Sequence, residues 1–300
     1  MDIDELPEGD RGLAAGADAG PAPVGADCRN CGAPLLGRFC AACGQSSATL
    51  RVSLREVVAN AASDLWSLDS RILTTARALV WPPGEITRQY LDGRRARFVP
   101  AFRLYLICSL LFFLILSFTG LLRPEVRTTQ DPESVAAMGE VRTDLVSQAE
   151  ATEGLERAFL LQVERFLALQ EGEEDVATAI GRMIERNLPK VMFFLLPLFA
   201  LLLRLLYLRR EWVYAEHIVF SLHYHALTFA LFATALLAGR WIPGWIVLPL
   251  VALYLPLSMR RIYRQGWVRT LLKSAVLGLL YFLICATAIG LLLGWAFFAA

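Results

Sequence analysis

Charge is scarce in this sequence. Only 19% of its 300 residues are charged and 56% are hydrophobic, against about 25% and about 45–50% in ordinary soluble domains. The excess sits in long apolar runs, mostly after residue 100, which excludes a plain soluble globule and points to a polytopic membrane protein. Large apolar residues are nearly missing from residues 1–27. Such a stretch cannot bury enough surface to offset its ordering entropy, so a disordered acidic tail is expected there. The tail also lacks the basic start and apolar stretch of a secretory signal. No phosphate-cradling glycine loop, nucleophile–base pattern or internal repeat is visible, so nothing in the sequence carries a catalytic assignment. Histidine is rare, with three residues in all.

The charges that are present come in blocks. Residues 1–27 hold seven acids and one base, and residues 28–103 hold eleven bases and five acids. Residues 123–190 hold fourteen acids and eight bases, and residues 260–273 hold five bases and no acid. The net charge of +1 therefore conceals segments suited to different environments.

Five runs reach the about 20 apolar residues that a bilayer crossing takes. They lie at roughly 103–122, 189–208, 217–238, 241–259 and 272–298. The fourth contains Pro243, Pro249 and Pro256, and a proline-broken span is tolerated where neighbouring helices satisfy the freed backbone groups. Basic residues flank alternate ends: Arg94, Arg95, Arg97 and Arg103, then Arg209 and Arg210, then Arg260, Arg261, Arg264, Arg269 and Lys273. Because Lys and Arg collect on the cytoplasmic side, the N-terminus is expected inside and the C-terminus outside. Arg94, Arg95 and Arg97 would meet anionic headgroups there.

The expected organisation is an acidic tail at 1–27, a metal ribbon at 28–45 and amphipathic juxtamembrane helices at 46–102. A first span at 103–122, an extracytoplasmic acidic helical insert at 123–188 and four further spans within 189–300 follow. In the juxtamembrane part, Leu68, Ile72, Leu73, Ala76, Leu79 and Val80 recur at helical spacing, and Trp81-Pro82-Pro83-Gly84 ends that helix. In the insert, Leu155, Phe159, Val163, Phe166 and Leu167 mark one amphipathic helix. Val176, Ile180, Met183 and Ile184 mark a second.

The most specific chemical signal is Cys28-x2-Cys31-Gly32 followed by Cys40-x2-Cys43-Gly44. Each Cys-x-x-Cys turn aims two thiolates at one point, and the glycine permits a positive φ. Two such turns give four sulfurs, which suits a closed structural Zn²⁺ site. Rubredoxin-like iron is the main alternative, since an S₄ site suits it as well. A disulfide pair fits least, because the charge pattern places the segment in the reducing cytoplasm. The ribbon has only Arg29 and Arg38 as bases and Phe39 as its aromatic residue, which argues against nucleic acid. Cys108 and Cys285 lie in apolar runs and read as small packing residues.

The third run carries Glu216, His217, His223 and His225. Ionisable residues in a span usually face the bundle interior or a water-filled cavity. At about 100° per residue, Glu216 and His223 share one face while His225 points away. This helix cannot by itself bring three imidazoles to one metal. The two readings are interhelical hydrogen bonding and a functional polar site.

Three stretches together are similar to a known family: CRNCGAPLLGRFCAACGQ at 28–45, LDSRILTTARALVWPPGEITRQYLDGRRARFVPAFRLYL at 68–106, and EHIVFSLHYH at 216–225. They resemble an uncharacterised bacterial membrane family, domain-of-unknown-function family 3667. The resemblance implies a bacterial inner-membrane location and a ribbon that belongs with the membrane part. It brings no activity and no catalytic residue, and it leaves the acidic tail and the insert unplaced.

The expectation is therefore an all-α polytopic membrane protein with a minimal Cys₄ zinc ribbon. A scaffold, assembly or regulatory role, with membrane lipids around it and a protein partner on the ribbon, fits best. The sequence leaves room for an oligomer. A membrane-embedded enzyme or metal site on the third span, or a small transporter, are the alternatives.

Overall fold

A computed structural model of the chain describes residues 25–47, 71–121, 132–170, 176–241 and 243–299. The acidic tail expected at 1–27 lies almost wholly outside these residues, as does the 48–70 part of the juxtamembrane segment with Leu68. The described architecture is helical. In order come α1 (Ile72–Val80), α2 (Glu85–Leu91), α3 (Ala101–Thr119), α4 (Pro132–Ala151), α5 (Gly154–Gln170), α6 (Val176–Leu206), α7 (Tyr214–Ala238), α8 (Val247–Tyr263) and α9 (Trp267–Ala299). Two 3₁₀ turns, Gly239–Trp241 and Gly244–Ile246, link α7 to α8. Before α1 lies a small knot of turns with two isolated bridges, Asp27 to Pro34 and Phe39 to Ser46.

Among the described residues, five helices are long and apolar enough to cross a membrane: Ala101–Thr119, Gly181–Leu206, Tyr214–Ala238, Gly244–Tyr263 and Trp267–Trp295. They coincide with the five predicted runs. The edges move where nothing in the sequence stops a helix. α6 runs unbroken from the insert into the second span, and α9 starts at Trp267 on polar residues.

α7 is the central post. Of its most apolar stretch 67% is buried inside the chain, against 6% for α9, which lies at the periphery. α3 packs along α7 through rings: Phe112 meets Phe229 at 5.3 Å and Tyr105 meets Phe229 at 5.9 Å. Such pairs contribute about 0.5–1.5 kcal/mol beyond their buried area. α7 also serves its proline-containing neighbours. Ser221 Oγ donates to the Leu196 carbonyl at 3.1 Å, Tyr214 OH to the Pro197 carbonyl at 2.9 Å, and Tyr224 OH to the Val251 carbonyl at 3.3 Å. Polar side chains on α7 thus bond to backbone carbonyls of two helices that contain prolines, α6 with Pro189 and Pro197 and α8 with Pro256.

Residues 71–100 form a helical hairpin that reaches into the bundle. Its tip, Trp81 to Gly84, is held by α8: Tyr254 OH donates to the Leu79 carbonyl at 2.6 Å and accepts from the Gly84 N–H at 3.2 Å. Tyr254 lies nine residues before Tyr263, the end of α8, which is about 13 Å along a helix rising 1.5 Å per residue. The hairpin therefore penetrates the bundle to roughly that depth and returns. Among the described residues of its predicted apolar stripe, Leu79 is buried and Ile72, Leu73, Ala76 and Val80 are exposed. Thr74 and Arg77 are exposed beside them, while Thr75 and Thr87 are buried.

The insert contains more helix than its apolar pattern indicated. α5 and the start of α6 match the two predicted stripes, whereas α4 has no apolar stripe and was not foreseen. Arg142 on α4 pairs with Glu164 on α5 at 2.7 Å.

Candidate metal centre and the hairpin beneath it

Two copies of one turn build the centre. In the first, Gly32 N–H donates to the Cys28 carbonyl at 2.7 Å and Cys28 N–H to the Ala33 carbonyl at 2.8 Å. In the second, Gly44 N–H donates to the Cys40 carbonyl at 2.8 Å and Cys40 N–H to the Gln45 carbonyl at 2.8 Å. Gly32 and Gly44 sit at φ of +77° and +73°, where a side chain would be strained. The turns face each other and bring the four sulfurs within 4.8 Å of one another. Cys28 Sγ lies 3.6 Å from Cys43 Sγ, and Cys31 Sγ lies 3.5 Å from Cys40 Sγ. A tetrahedral ion with metal–sulfur bonds near 2.3 Å would place its sulfurs about 3.8 Å apart. The four thiols are therefore arranged to hold one metal ion. Backbone N–H groups of Cys43 and then Ala42 hold the Cys40 thiol down to about 7. Against the Ala33 N–H, desolvation and the neighbouring sulfurs push Cys31 up to about 12. The cluster thus shares its protons, and a bound ion would have to displace them. All four are free cysteines with no disulfide between them. With every position filled by protein, such a site stabilises structure and does not activate water.

The ribbon is fastened to the loop that follows α2. Gln45 sits one residue beyond the second glycine, and its amide makes three bonds there. Nε2 donates to the Gly93 carbonyl at 2.7 Å, and Oε1 accepts from the Arg95 and Ala96 N–H groups at 3.1 Å each. Arg97 Nη2 donates to the Asn30 carbonyl at 3.2 Å. Arg95 donates from Nε to the Tyr90 carbonyl at 3.2 Å and lies over the Tyr90 ring. Two of the three arginines read as headgroup contacts thus also have partners within the chain, while Arg94 is exposed. Gln45→Leu leaves two backbone donors without acceptors, each worth about 1–3 kcal/mol when buried. We expect faster proteolysis at residues 28–47 of that variant under conditions where wild type is spared. An unchanged cleavage rate would remove Gln45 as the fastener.

Below the loop, Glu85 ties the hairpin to α8. Its carboxylate accepts from Arg88 at 2.8 Å, from Gln89 at 2.8 Å and from Arg261 at 2.6 Å. The hydrogen bond from Arg88, followed by those from Gln89 and Arg261, holds the Glu85 carboxyl down to about 2. A depressed carboxyl contributes stability that is complete above its unfolded value and is lost as pH falls. Here the window runs from about 4.5 down to about 2. In detergent, the melting temperature should therefore fall more steeply across that window for wild type than for Glu85→Gln. Parallel curves would show that the carboxylate contributes nothing.

The four polar residues of the third span do not converge. Glu216 Oε2 accepts from the Val213 N–H at 2.9 Å and caps α7. His217 Nδ1 meets Tyr263 OH at 2.8 Å, and His223 Nδ1 meets Thr87 Oγ1 at 3.0 Å. His225 meets the Ser221 carbonyl through Nδ1 and Tyr281 OH through Nε2, each at 2.8 Å. Each imidazole has its own partner on another helix or turn. Among the described residues, the one group of three or more His, Cys, Asp or Glu able to hold a metal ion is the cysteine cluster. Sequence reasoning missed Gln45 and Glu85. Gln45 acts across 48 residues, where no local pattern signals it. Glu85 opens α2 directly after the proline–glycine break and had a local signal.

Comparison with known proteins agrees with this emphasis. Residues 69–113 match the model of a family described as protein of unknown function (DUF3667). The matched residues are the hairpin, the loop beneath the ribbon and the first part of α3. The ribbon and the histidine span lie outside the match. Neither the curated proteins nor the solved structures give a match.

Proposed function

We propose that this chain is a multi-pass protein of a bacterial inner membrane, in which a cytoplasmic structural zinc ribbon and the hairpin form one platform for a protein partner. Its role is that of a scaffold, assembly or regulatory subunit. The observation that carries this reading is the closed four-thiol centre fastened by Gln45 to the loop of a hairpin that is itself bonded to α7 and α8. Zinc is favoured over iron on the doubled Cys-x-x-Cys motif, and the reducing compartment of this reading argues against a disulfide. The basic ends of the spans support an N-terminus inside and a C-terminus outside.

Elemental analysis of the full-length protein should give one zinc per chain and negligible iron. A periplasm-dependent phosphatase fused after Ala300 should be active, and the same fusion after Arg210 inactive. Crosslinking in native membranes should give a discrete partner adduct that Cys28→Ser plus Cys31→Ser abolishes. A protein that stays monomeric and uncrosslinked would overturn the scaffold reading. The enzyme and transporter alternatives have less support, since the three histidines bond to different partners and do not converge on one site, with Nε2 of His217 and of His223 buried and unpartnered.

A further inference from the structure

Where α6 ends and α9 begins, three bases gather, and neither of the acids nearest in sequence, Glu211 and Glu216, pairs with them. Lys273 Nζ lies 3.8 Å from the centre of the Tyr207 ring. Arg210 and Arg269 are close enough to act on Lys273 electrostatically. Among the described residues none of these three bases has a carboxylate partner. Glu216, in the first turn of α7, accepts from the Val213 N–H and caps that helix. Three like charges held together are unfavourable unless an anion joins them.

Tyr207 is fixed in place from its other side. Its ring stacks on Tyr263 at 3.8 Å and lies near His217 at 6.3 Å. Its buried hydroxyl has no hydrogen-bond partner, which leaves one donor that an anion, or a water carried by it, would satisfy.

The surroundings say what kind of anion this is. On α9, Val268 and Leu272, each adjacent in sequence to one of the bases, are 81% and 66% exposed. Leu208, two residues before Arg210, is 59% exposed. Trp267 stands beside them with Arg260 over its ring at 4.1 Å, an aromatic residue of the kind found at headgroup level. A free anion has no use for that apolar border. A molecule with an anionic head and an apolar tail uses both parts.

We propose that the seam between α6 and α9 binds the phosphate of an anionic lipid headgroup, held by Arg210, Arg269 and Lys273. The site is separate from Arg94, Arg95 and Arg97. It rests on the multi-pass reading, because the bases must lie at a bilayer surface. Bases between helices at that surface hold phosphate-bearing headgroups by the same attraction that draws polybasic segments to anionic leaflets.

The test uses the full chain in phosphatidylcholine nanodiscs with increasing phosphatidylglycerol, read by native mass spectrometry as lipid retained per chain. Removing two bases at about five-fold each should weaken phosphatidylglycerol retention about 25-fold in Arg269→Ala plus Lys273→Ala. Lys273→Arg should retain it. Unchanged retention in the double variant overturns the site. Displacement of the lipid by millimolar inorganic phosphate would assign the bases to a soluble phosphate and also overturn it. Because the double variant could lose lipid by misfolding, its melting temperature is measured alongside. Lost retention with an unchanged melt supports the site, whereas lost retention that the melt shift fully accounts for counts against it. Release of the wild-type chain from membranes by alkaline wash would instead defeat the multi-pass reading, an outcome distinct from all of these.

Discussion

Gly84→Val is expected to undock the hairpin and lower stability by about 2–5 kcal/mol. Gly84 sits at φ +76°, and a Cβ there would lie 2.9 Å from the Ser258 Cα and 3.1 Å from the Ser258 carbonyl oxygen. Both obstacles are backbone of α8, which cannot swing aside as a side chain would. The left-handed backbone adds about 1–2 kcal/mol for a residue with a Cβ, and overpacking a tight contact adds about 1–3 kcal/mol. The same displacement would stretch the Tyr254 bonds to Leu79 and Gly84. Gly37→Ala is the control, since a Cβ there meets nothing within 4 Å. It should shift stability by no more than about 0.5 kcal/mol. Melting in detergent checks both. A Gly84→Val protein that melts with wild type would mean the hairpin is not seated on α8.

Cys28→Ser plus Cys31→Ser should produce the largest local effect. The ribbon has a core of three buried residues, Cys28, Leu35 and Cys40, and two of them belong to the candidate metal set. A fold this small has little besides metal to hold it, and structural zinc supplies about 10–16 kcal/mol of apparent binding free energy in such peptides. Metal content should drop to background, and the Gly32 and Gly44 amides should lose protection from exchange. Cys108→Ser, in the first span, should leave metal content unchanged. A double variant that keeps its metal would place the ion elsewhere.

The sequence revealed elements whose signals are local. Five apolar runs, two Cys-x-x-Cys-Gly turns and the proline–glycine break at 82–84 each follow from a few consecutive residues, and each has its counterpart in the fold. Two kinds of feature stayed hidden. One is long-range fastening, such as Gln45 on residues 93–96 and Glu85 on Arg261, which depends on where distant segments meet. The other is the direction of a face. Ile72, Leu73 and Val80 read as part of one apolar stripe, but periodicity shows which residues share a face and not whether that face is buried. The histidines fall between these cases. Helical geometry showed that they cannot meet on one helix, yet Tyr263, Thr87 and Tyr281 as their partners required the packed bundle.

The central claim is that ribbon and hairpin act as one unit through the metal. Hydrogen exchange of the full-length protein, before and after removal of metal by a chelator, tests it most directly. The account predicts lost protection in residues 28–45 and also at the Arg95 and Ala96 amides, whose acceptor is the Gln45 side chain. Lost protection in the ribbon with those two amides unchanged would contradict it.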